Sequence, residues 1–348
     1  MSGKSKNEDF DDIMHDITSG LTGDTKADIQ YLNQKMQEYK EHPMAKEILR
    51  AIGRLLFEIL PDENKKDLEK MIDNDARGLD AELDEIRFNI YKKDFQKALK
   101  LCQLLVDKVE SMNMFQDDQV SEYHTFNELF EVMLYVHLYQ PQKDLRHSPI
   151  PYSTIYGLYG SLLVELQRLD DARDVLQKGL RWNPIDFSLT SEYIETFKMR
   201  KELEPFFTKT LEAFKIAFRP EDVARCFRNL GYYFVEKELY QEAVTAYLLS
   251  NHFEKNTMVQ SELYYIEQKT GEPVVNPTYE EMEAIAEKYH FPMTADQDVL
   301  GVAYTYGKDA FEDQEMDQAR YCFTILYNLT DDEKIKALLD QLPQPEEN

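Results

Sequence analysis

Residues 156–184 read YGLYGSLLVELQRLDDARDVLQKGLRWNP, and this stretch decides the fold. Gly160 and Ala172 lie twelve residues apart in it, on either side of a polar turn at residues 168–170. Apolar residues recur at helical spacing before and after that turn, which predicts two helices. Because glycine and alanine are small, the two helices can approach closely where these residues meet. The stretch therefore predicts a tightly packed helical hairpin.

The same spacing occurs twice more along the chain. Gly231 and Ala243 are twelve residues apart, and so are Gly307 and Ala319. A large residue precedes each glycine, and another follows each alanine by four residues: Tyr159, Leu230 and Tyr306 in the first set, Leu176, Tyr247 and Phe323 in the second. These large side chains are expected to fill the space beside each close helix crossing. The repetition predicts an array of helical hairpins.

The repeated pattern resembles the tetratricopeptide repeat (TPR) family, whose unit is a helical hairpin of about 34 residues. The best match stands at the family's signature spacings and consists of Tyr156, Tyr159, Gly160, Leu163, Ala172, Leu176 and Pro184. Gly179 departs from the pattern, since the family usually has alanine there. The resemblance covers roughly residues 77–330 and implies an all-α fold, an α-α superhelix (solenoid) of TPR-like hairpins. A HEAT-like or irregular helical solenoid is the alternative.

The distances between the clear hairpins along the chain leave room for further helical hairpins that match the repeat pattern less well. The alanines that mark the hairpins are separated by about two repeat lengths each, and they are Ala98, Ala172, Ala243 and Ala319. We infer further units near residues 119–150, 187–220 and 256–292. In the first of these, the apolar and aromatic run from Val120 to Tyr139 predicts one long helix. No strand is expected.

The chain is expected to have three parts. Residues 1–24 are acidic and are predicted to be a mobile segment. Residues 25–75 are predicted to form an N-terminal helical cap, whose last helix is capped by Asp62. Residues 76–341 are predicted to form the TPR-like repeat array.

Composition limits the classes of function. The 348 residues include 66 acidic and 40 basic ones, a formal net charge of −26, which excludes nucleic-acid binding through phosphate neutralisation. The same charge argues against binding to an anionic membrane surface. Hydrophobic residues make up 43% of the chain, enough for a substantial core. We expect a folded, soluble protein that binds neither nucleic acid nor membrane.

The cysteines and the first residues bear on the compartment. Residues 1–12 contain no apolar stretch of the secretory type, and the three cysteines are too far apart for a disulfide framework or a zinc site. We therefore expect a cytoplasmic protein. Cys226 lies between Arg225 and Arg228, which lower the pKa of an exposed thiol, but a buried packing role is the preferred interpretation.

No motif of the chain indicates catalysis. It contains no GxxxxGK[ST], GxGxxG, HExxH, CxxC or EF-hand pattern. The acidic residues between Glu8 and Asp16 fit no calcium-loop spacing and are interpreted as solvated. His124 and His137 would be about 20 Å apart along one helix and are interpreted as independent. We expect no enzymatic activity, cofactor or metal; an enzyme with an unrecognised site is one alternative.

One segment differs from the acidic background. Residues 198–228 carry eight basic and five acidic residues, a net charge of +3. In the register of the resembling family, five residues face the concave surface and are the candidate partner-binding residues: Arg225, Arg228, Tyr232, Tyr304 and Lys308. Arginine and tyrosine are frequent anchors of protein interfaces. The alternative is a solvated surface whose charges pair within the chain.

These observations predict a protein-interaction module that binds an extended or helical protein segment in its concave groove. The predicted partner is a protein or peptide with acidic or carboxylate groups. One alternative is a chaperone for an aggregation-prone client, for which negative charge aids solubility. Another is a peptide-sensing regulator without an evident DNA-binding domain, since residues 1–75 carry a net charge of −6 and no glycine turn between two short helices.

Overall fold

The computed structural model describes residues 10–40, 42–61, 78–112 and 115–343. These residues are mostly helical, which confirms the all-α class, and none of their helices has the length and apolarity needed to cross a bilayer. The helices are α1 (Phe10–Ser19), α2 (Thr25–Glu38), α3 (Ala45–Ile59), α4 (78–91), α5 (Phe95–Met112), α6 (Leu129–Tyr139), α7 (Tyr152–Glu165), α8 (Leu169–Trp182), α9 (Phe187–Met199), α10 (Leu203–Ala213), α11 (Pro220–Glu236), α12 (Tyr240–Phe253), α13 (Thr257–Thr270), α14 (Tyr279–Tyr289), α15 (Gln297–Glu312), α16 (Met316–Thr330) and α17 (Glu333–Gln341). Two short strands, β1 (Ser121–His124) and β2 (Asp144–His147), pair with each other.

The chain divides into two compact units. Unit 1 contains the described residues of 1–84, 113–123 and 143–150. Unit 2 contains the described residues of 85–112, 124–142 and 151–343. The division does not follow the sequence order, because two short later segments join the N-terminal unit.

In unit 1, helices α1, α2 and α3 share one hydrophobic core. Phe10, Ile13 and Ile17 of α1 are buried in it with Leu32 of α2 and Ile52 of α3. Residues 10–19 therefore belong to the same packed unit as the predicted cap, whereas the sequence analysis placed them in a separate acidic segment. The cap helix expected to begin at Asp62 lies outside the described residues.

In unit 2, the three hairpins marked by glycine and alanine are present as α7–α8, α11–α12 and α15–α16. A Cβ atom at Gly231 would lie 2.5 Å from Cε1 of Tyr247, and one at Gly307 would lie 2.8 Å from Cε1 of Phe323. At Gly160, a Cβ atom would overlap the side chain of Leu176. In each hairpin, the contact joins the glycine to the large residue four positions after the alanine. The close helix crossings expected from the sequence are confirmed.

The region 119–150 differs from the expected helical hairpin. It contains β1, α6 and β2, and its helix begins at Leu129 and not at Val120. The carboxylate of Asp118 accepts hydrogen bonds from the backbone N–H groups of Val120 (2.9 Å) and Ser121 (2.8 Å), and the Asp144 N–H donates to the Val120 carbonyl (2.9 Å). These hydrogen bonds give the backbone N–H and C=O groups around Val120 partners in an extended conformation. The prediction of a helix from residue 120 is therefore wrong. The other two inferred units, 187–220 and 256–292, each contain two helices.

Helix α6 packs against elements late in the chain. The side chain of His137 lies 3.1 Å from that of Asp298 in α15, and Met133 contacts Cys322 of α16. Tyr321 donates a hydrogen bond to Glu128, just before α6, at 2.6 Å. Unit 2 therefore has contacts between distant segments in addition to those between successive hairpins.

Candidate functional site

The candidate site is a groove of about 360 Å³ in unit 2, lined from α9, α11, α12 and α13. We call it the α11 groove, and its lining residues are Glu195, Lys198, Arg225, Arg228, Asn229, Tyr232, Tyr247, Asn256, Met258 and Glu262. Three of the five candidate residues from the sequence lie together here: Arg225, Arg228 and Tyr232. The basic segment of the sequence thus contributes directly to a concave surface.

Helix α11 presents one side to the groove and another to the core. Arg225, Asn229 and Tyr232 follow one another at intervals of four and three residues, which places them on one helix face. Other residues of α11 are fully buried, namely Phe227, Leu230 and Phe234. Burial of this apolar face fixes the rotation of the helix about its axis, and it thereby determines which polar residues line the groove.

The two arginines of the groove have different surroundings. Nη1 of Arg228 donates hydrogen bonds to Oε2 of Glu254 at 2.8 Å and to Oγ of Ser250 at 3.4 Å. Its side chain is only 17% exposed. Arg225 has no hydrogen bond or ion pair with any other residue that the structure describes. Arg228 therefore joins α11 to the end of α12, while Arg225 is available to a ligand.

Two further charges in the groove pair with each other. Nζ of Lys198 lies 3.6 Å from Oε1 of Glu195 and 4.9 Å from the centre of the Tyr232 ring. Glu262, on α13, forms no ion pair with another described residue. The lining of the groove thus offers one cation without an ion pair, Arg225, and one carboxylate without an ion pair, Glu262, whose hydrogen bond with Tyr247 adds to the rise in the pKa of that phenol.

The groove also contains neutral polar groups, namely two phenols and one side-chain amide. Burial raises the pKa of Tyr232 to about 12, and the neighbouring Glu236 adds to the effect. Burial likewise raises the pKa of Tyr247. Both phenols are therefore protonated at neutral pH, and hydrogen bonds to Glu236 and Glu262 add to the rise in the pKa of Tyr232 and Tyr247 respectively. The Asn229 side chain is mostly buried and has no hydrogen-bond partner among the described residues, so its amide can bond a ligand.

Tyr304 and Lys308 do not line the α11 groove. Both are exposed on α15, where Nζ of Lys308 lies 3.5 Å from Oε1 of Glu312, one helical turn further on. Helix α15 packs against α16 and α6. The structure therefore brings together the candidates on α11 but not those on α15.

Sequence reasoning missed the contributions of α9 and α13. Lys198 was counted in the basic segment without a site role, and Glu195, Met258 and Glu262 were not singled out. These helices belong to the degenerate units 187–220 and 256–292, which have no glycine–alanine pair to set their register. The available signal was the helical spacing on α13, where the apolar Met258 and the acidic Glu262 are four residues apart and so share a helix face.

Asp222 lies one turn before Arg225 on the same side of α11. Its Oδ2 atom is buried and has no hydrogen-bond partner among the described residues. Burial raises the pKa of Asp222 to about 7; Arg219 and Arg225 act against this rise, and Glu221 and Asp186 increase it. Burial of one carboxylate oxygen cannot be read from a helical pattern, so the sequence identifies Asp222 only as one of the five acidic residues of 198–228.

The cysteines and histidines do not form a reactive or metal-binding cluster. Cys102, Cys226 and Cys322 are all free and buried, and burial raises the thiol pKa of Cys226 well above its usual value. Nδ1 of His124 lies 3.2 Å from the Trp182 carbonyl oxygen, whereas His137 contacts Asp298. No group of three or more His, Cys, Asp or Glu side chains with metal-binding geometry occurs in the described part of the chain.

No protein-family model matches the chain, and the search of curated proteins finds none that is significantly similar. The function is therefore argued from the residues of the groove.

Proposed function

We propose that this chain is a non-enzymatic protein-interaction module that binds an extended or helical segment of another protein in the α11 groove. The observation that supports it most directly is Arg225, an arginine in the groove wall that forms no hydrogen bond or ion pair with another described residue. In a chain with a net charge of −26, acidic residues outnumber basic ones by 66 to 40. An unpaired arginine in a concave surface is suited to a carboxylate supplied by a partner.

The groove also offers contacts for the rest of a bound segment. Glu262 suits a basic side chain of the partner, and the Asn229 amide suits a backbone N–H and C=O pair. Tyr232 and Met258 supply contact area with few polar atoms. The partner segment of this proposal therefore carries an acidic group opposite Arg225 and a basic group opposite Glu262.

The proposed architecture is a TPR-like superhelix in which α9, α11 and α13 are neighbouring inner helices. It is supported by the three glycine crossings and by the groove that residues of these three helices share. A cytoplasmic location belongs to the same proposal, and the three free, buried cysteines fit a reducing compartment.

The proposal is tested by selecting a random-peptide library on the wild-type protein and measuring the affinity of the enriched peptides. We expect peptides that carry both an acidic and a basic residue. Arg225→Ala should weaken their binding by more than about 1 kcal/mol, the usual threshold for an interface anchor. Affinity should also fall as salt rises, since partly exposed charges are screened over roughly 8–10 Å at physiological ionic strength.

Lys334→Ala is the matched control, because Lys334 is an exposed residue of α17 outside the groove. It should leave the affinity unchanged. Peptides that bind equally well to wild type and to Arg225→Ala would place the binding site elsewhere. Selection that enriches no peptide, or only uncharged apolar ones, would contradict the proposed recognition chemistry and favour a chaperone.

A further inference from the structure

A second cavity lies in unit 2 between α6, α9 and α10, and none of its lining residues belongs to the α11 groove. Its volume is about 430 Å³, within the usual range for small-molecule sites of roughly 300–1,000 Å³. Aliphatic side chains form much of its lining, among them Leu138, Leu180, Ile194 and Ile216. The cavity is therefore large enough for a small organic molecule and has an apolar surface to receive one.

The polar groups of this cavity include three hydroxyl groups, each able to donate a hydrogen bond. The hydroxyl groups of Thr190 and Tyr139 have no hydrogen-bond partner among the described residues. The Tyr193 hydroxyl accepts a hydrogen bond from Gln177 at 2.8 Å, so its own proton is free to be donated. Three hydroxyl donors thus line one cavity.

The charged groups of the cavity add to this excess of donors. Lys209 and Glu212 pair with each other at 2.6 Å, which satisfies the one carboxylate in the lining. Lys215 forms no ion pair with another described residue. The lining therefore has one unpaired ammonium group and no unpaired carboxylate.

We propose that this cavity binds a small organic anion, a carboxylate attached to an apolar body. The carboxylate accepts hydrogen bonds from Lys215 and the neighbouring hydroxyls, and the apolar body covers the aliphatic lining. Charge-assisted hydrogen bonds favour a carboxylate over a neutral alcohol of the same size. This site is independent of the protein-binding function proposed for the α11 groove.

Because Leu138 and Tyr139 end α6, a bound ligand contacts α6 and the hairpin α9–α10 together. A ligand that binds only the folded state stabilises it in proportion to its concentration and affinity. Binding is therefore expected to raise the thermal midpoint of the protein as well as to give a calorimetric signal.

The test uses three probes on the full chain, measured by isothermal titration calorimetry: octanoate, 1-octanol and inorganic phosphate. Octanoate has both the apolar body and the carboxylate, 1-octanol has the body without the charge, and phosphate has the charge without the body. We expect one octanoate per chain, at least about tenfold weaker binding of 1-octanol, and no binding of phosphate. Equal affinity for octanoate and 1-octanol, or no binding of octanoate, would overturn the proposal.

Variants assign the binding to this cavity. Lys215→Glu should weaken octanoate binding by about threefold to tenfold. The substitution replaces the attraction between an exposed ammonium group and the octanoate carboxylate by a repulsion between two carboxylates. Leu180→Trp should abolish binding by filling the cavity, and a thermal unfolding curve establishes whether this variant folds. If Leu180→Trp does not fold, Thr190→Val provides the second measurement. This variant removes one hydroxyl donor, keeps the shape of the side chain and should weaken octanoate binding.

Two control variants should leave octanoate binding unchanged. Lys334→Glu makes the same charge change at an exposed position on α17, and Arg225→Ala removes the free cation of the α11 groove. Loss of octanoate binding in Arg225→Ala would assign the anion to the groove and overturn the cavity proposal. If Lys334→Glu weakened octanoate binding as much as Lys215→Glu, the binding would depend on net charge alone. This result would also overturn the cavity proposal.

Discussion

Gly231 shows how one absent side chain sets the distance between two helices. The ring of Tyr247 occupies the space that a Cβ atom at residue 231 would need, and Tyr247 is itself buried at 3% exposure. A buried ring cannot move aside as the tip of an exposed side chain can. The contact therefore fixes the packing of α11 against α12, and with it the position of the groove residues on α11.

Gly231→Leu should destabilise the protein by about 1–3 kcal/mol or more, the usual cost of overpacking a close contact. Denaturant unfolding measures the change. Gly301→Ala is the control, because Gly301 is an exposed residue of α15 whose added Cβ would contact nothing within 4 Å. This control should be neutral or stabilising by up to about 1 kcal/mol, since alanine favours a helix. An unchanged unfolding midpoint for Gly231→Leu would contradict the helix crossing.

Asp222 predicts a dependence of stability on pH. Its pKa is about 7 in the folded protein, above the value of about 4 in an unfolded chain, so the folded state binds the proton more tightly. The protonated carboxyl stabilises the folded state at low pH, and this contribution is lost as pH rises from about 4 through 7. Above that range, a charged carboxylate is buried with one oxygen unpartnered.

Asp222→Asn removes the titrating group and keeps the shape of the side chain. Relative to wild type, the variant should gain stability on the order of 3 kcal/mol between about pH 4 and pH 8. Denaturant unfolding at several pH values measures the difference. Asp174→Asn, at an exposed position on α8, should show no such trend. A constant difference between Asp222→Asn and wild type across this range would show that Asp222 does not titrate there.

At the scale of elements, the link between α11 and α12 separates two arginines that the sequence treats alike. Arg228 donates a hydrogen bond to Glu254, the residue that follows α12, whereas Arg225 forms no hydrogen bond or ion pair with another described residue and acts on Glu192 and Asp222 through its charge alone. Positions three apart share a helix face, so the sequence assigned both residues to one partner. The difference arises because Glu254 is near Arg228 only after the hairpin has closed.

Arg228→Ala should lower the free energy of unfolding by about 1–2 kcal/mol, because it leaves Glu254 and Ser250 without their charged donor. Arg225→Ala should change it by less than about 0.5 kcal/mol, as is usual for a surface position without partners. Chemical denaturation of both single variants measures the two effects. Equal destabilisation by the two changes would mean that Arg225 also has a structural contact.

At the scale of the whole molecule, the three cysteines are buried in different helices of unit 2. Burial raises the thiol pKa of Cys102 to about 12 and that of Cys322 to about 11, and it also raises that of Cys226 well above its usual value. The thiolate, and not the thiol, attacks a thiol reagent, so the native protein should react slowly. All three thiols should react with Ellman's reagent in denaturant. Rapid labelling of a thiol in the native protein would contradict its burial.

Much of the helical architecture could be predicted from short-range patterns. Gly231 and Tyr247 are sixteen residues apart, and a hairpin is the local structure that brings such residues together. The region 119–150 could not be predicted in the same way. Its apolar residues suit a helix, but Asp118 and Asp144 stabilise an extended conformation around Val120 through bonds between residues up to twenty-four apart.

Part of the candidate site could also be predicted from short-range patterns, and part could not. The face of α11 that carries Arg225 and Tyr232 follows from helical periodicity, because the apolar residues of that helix must turn to the core. The sequence does not show that Glu262 shares the groove, since α13 lies in a unit without a glycine–alanine pair. The second cavity could not be predicted from the sequence, because Tyr139 and Lys215 come to line one cavity only in the folded chain.

The sequence by itself determined the all-α class, the three glycine crossings and the polar face of α11, because each depends on spacings of three to sixteen residues within one hairpin. Only the tertiary structure decided which charged side chains form ion pairs with other described residues and which do not. It bonds Arg228 to Glu254, buries one oxygen of Asp222 and packs α6 against α15 and α16. Each of these outcomes depends on contacts between elements, and residue spacing along a single helix carries no information about such contacts.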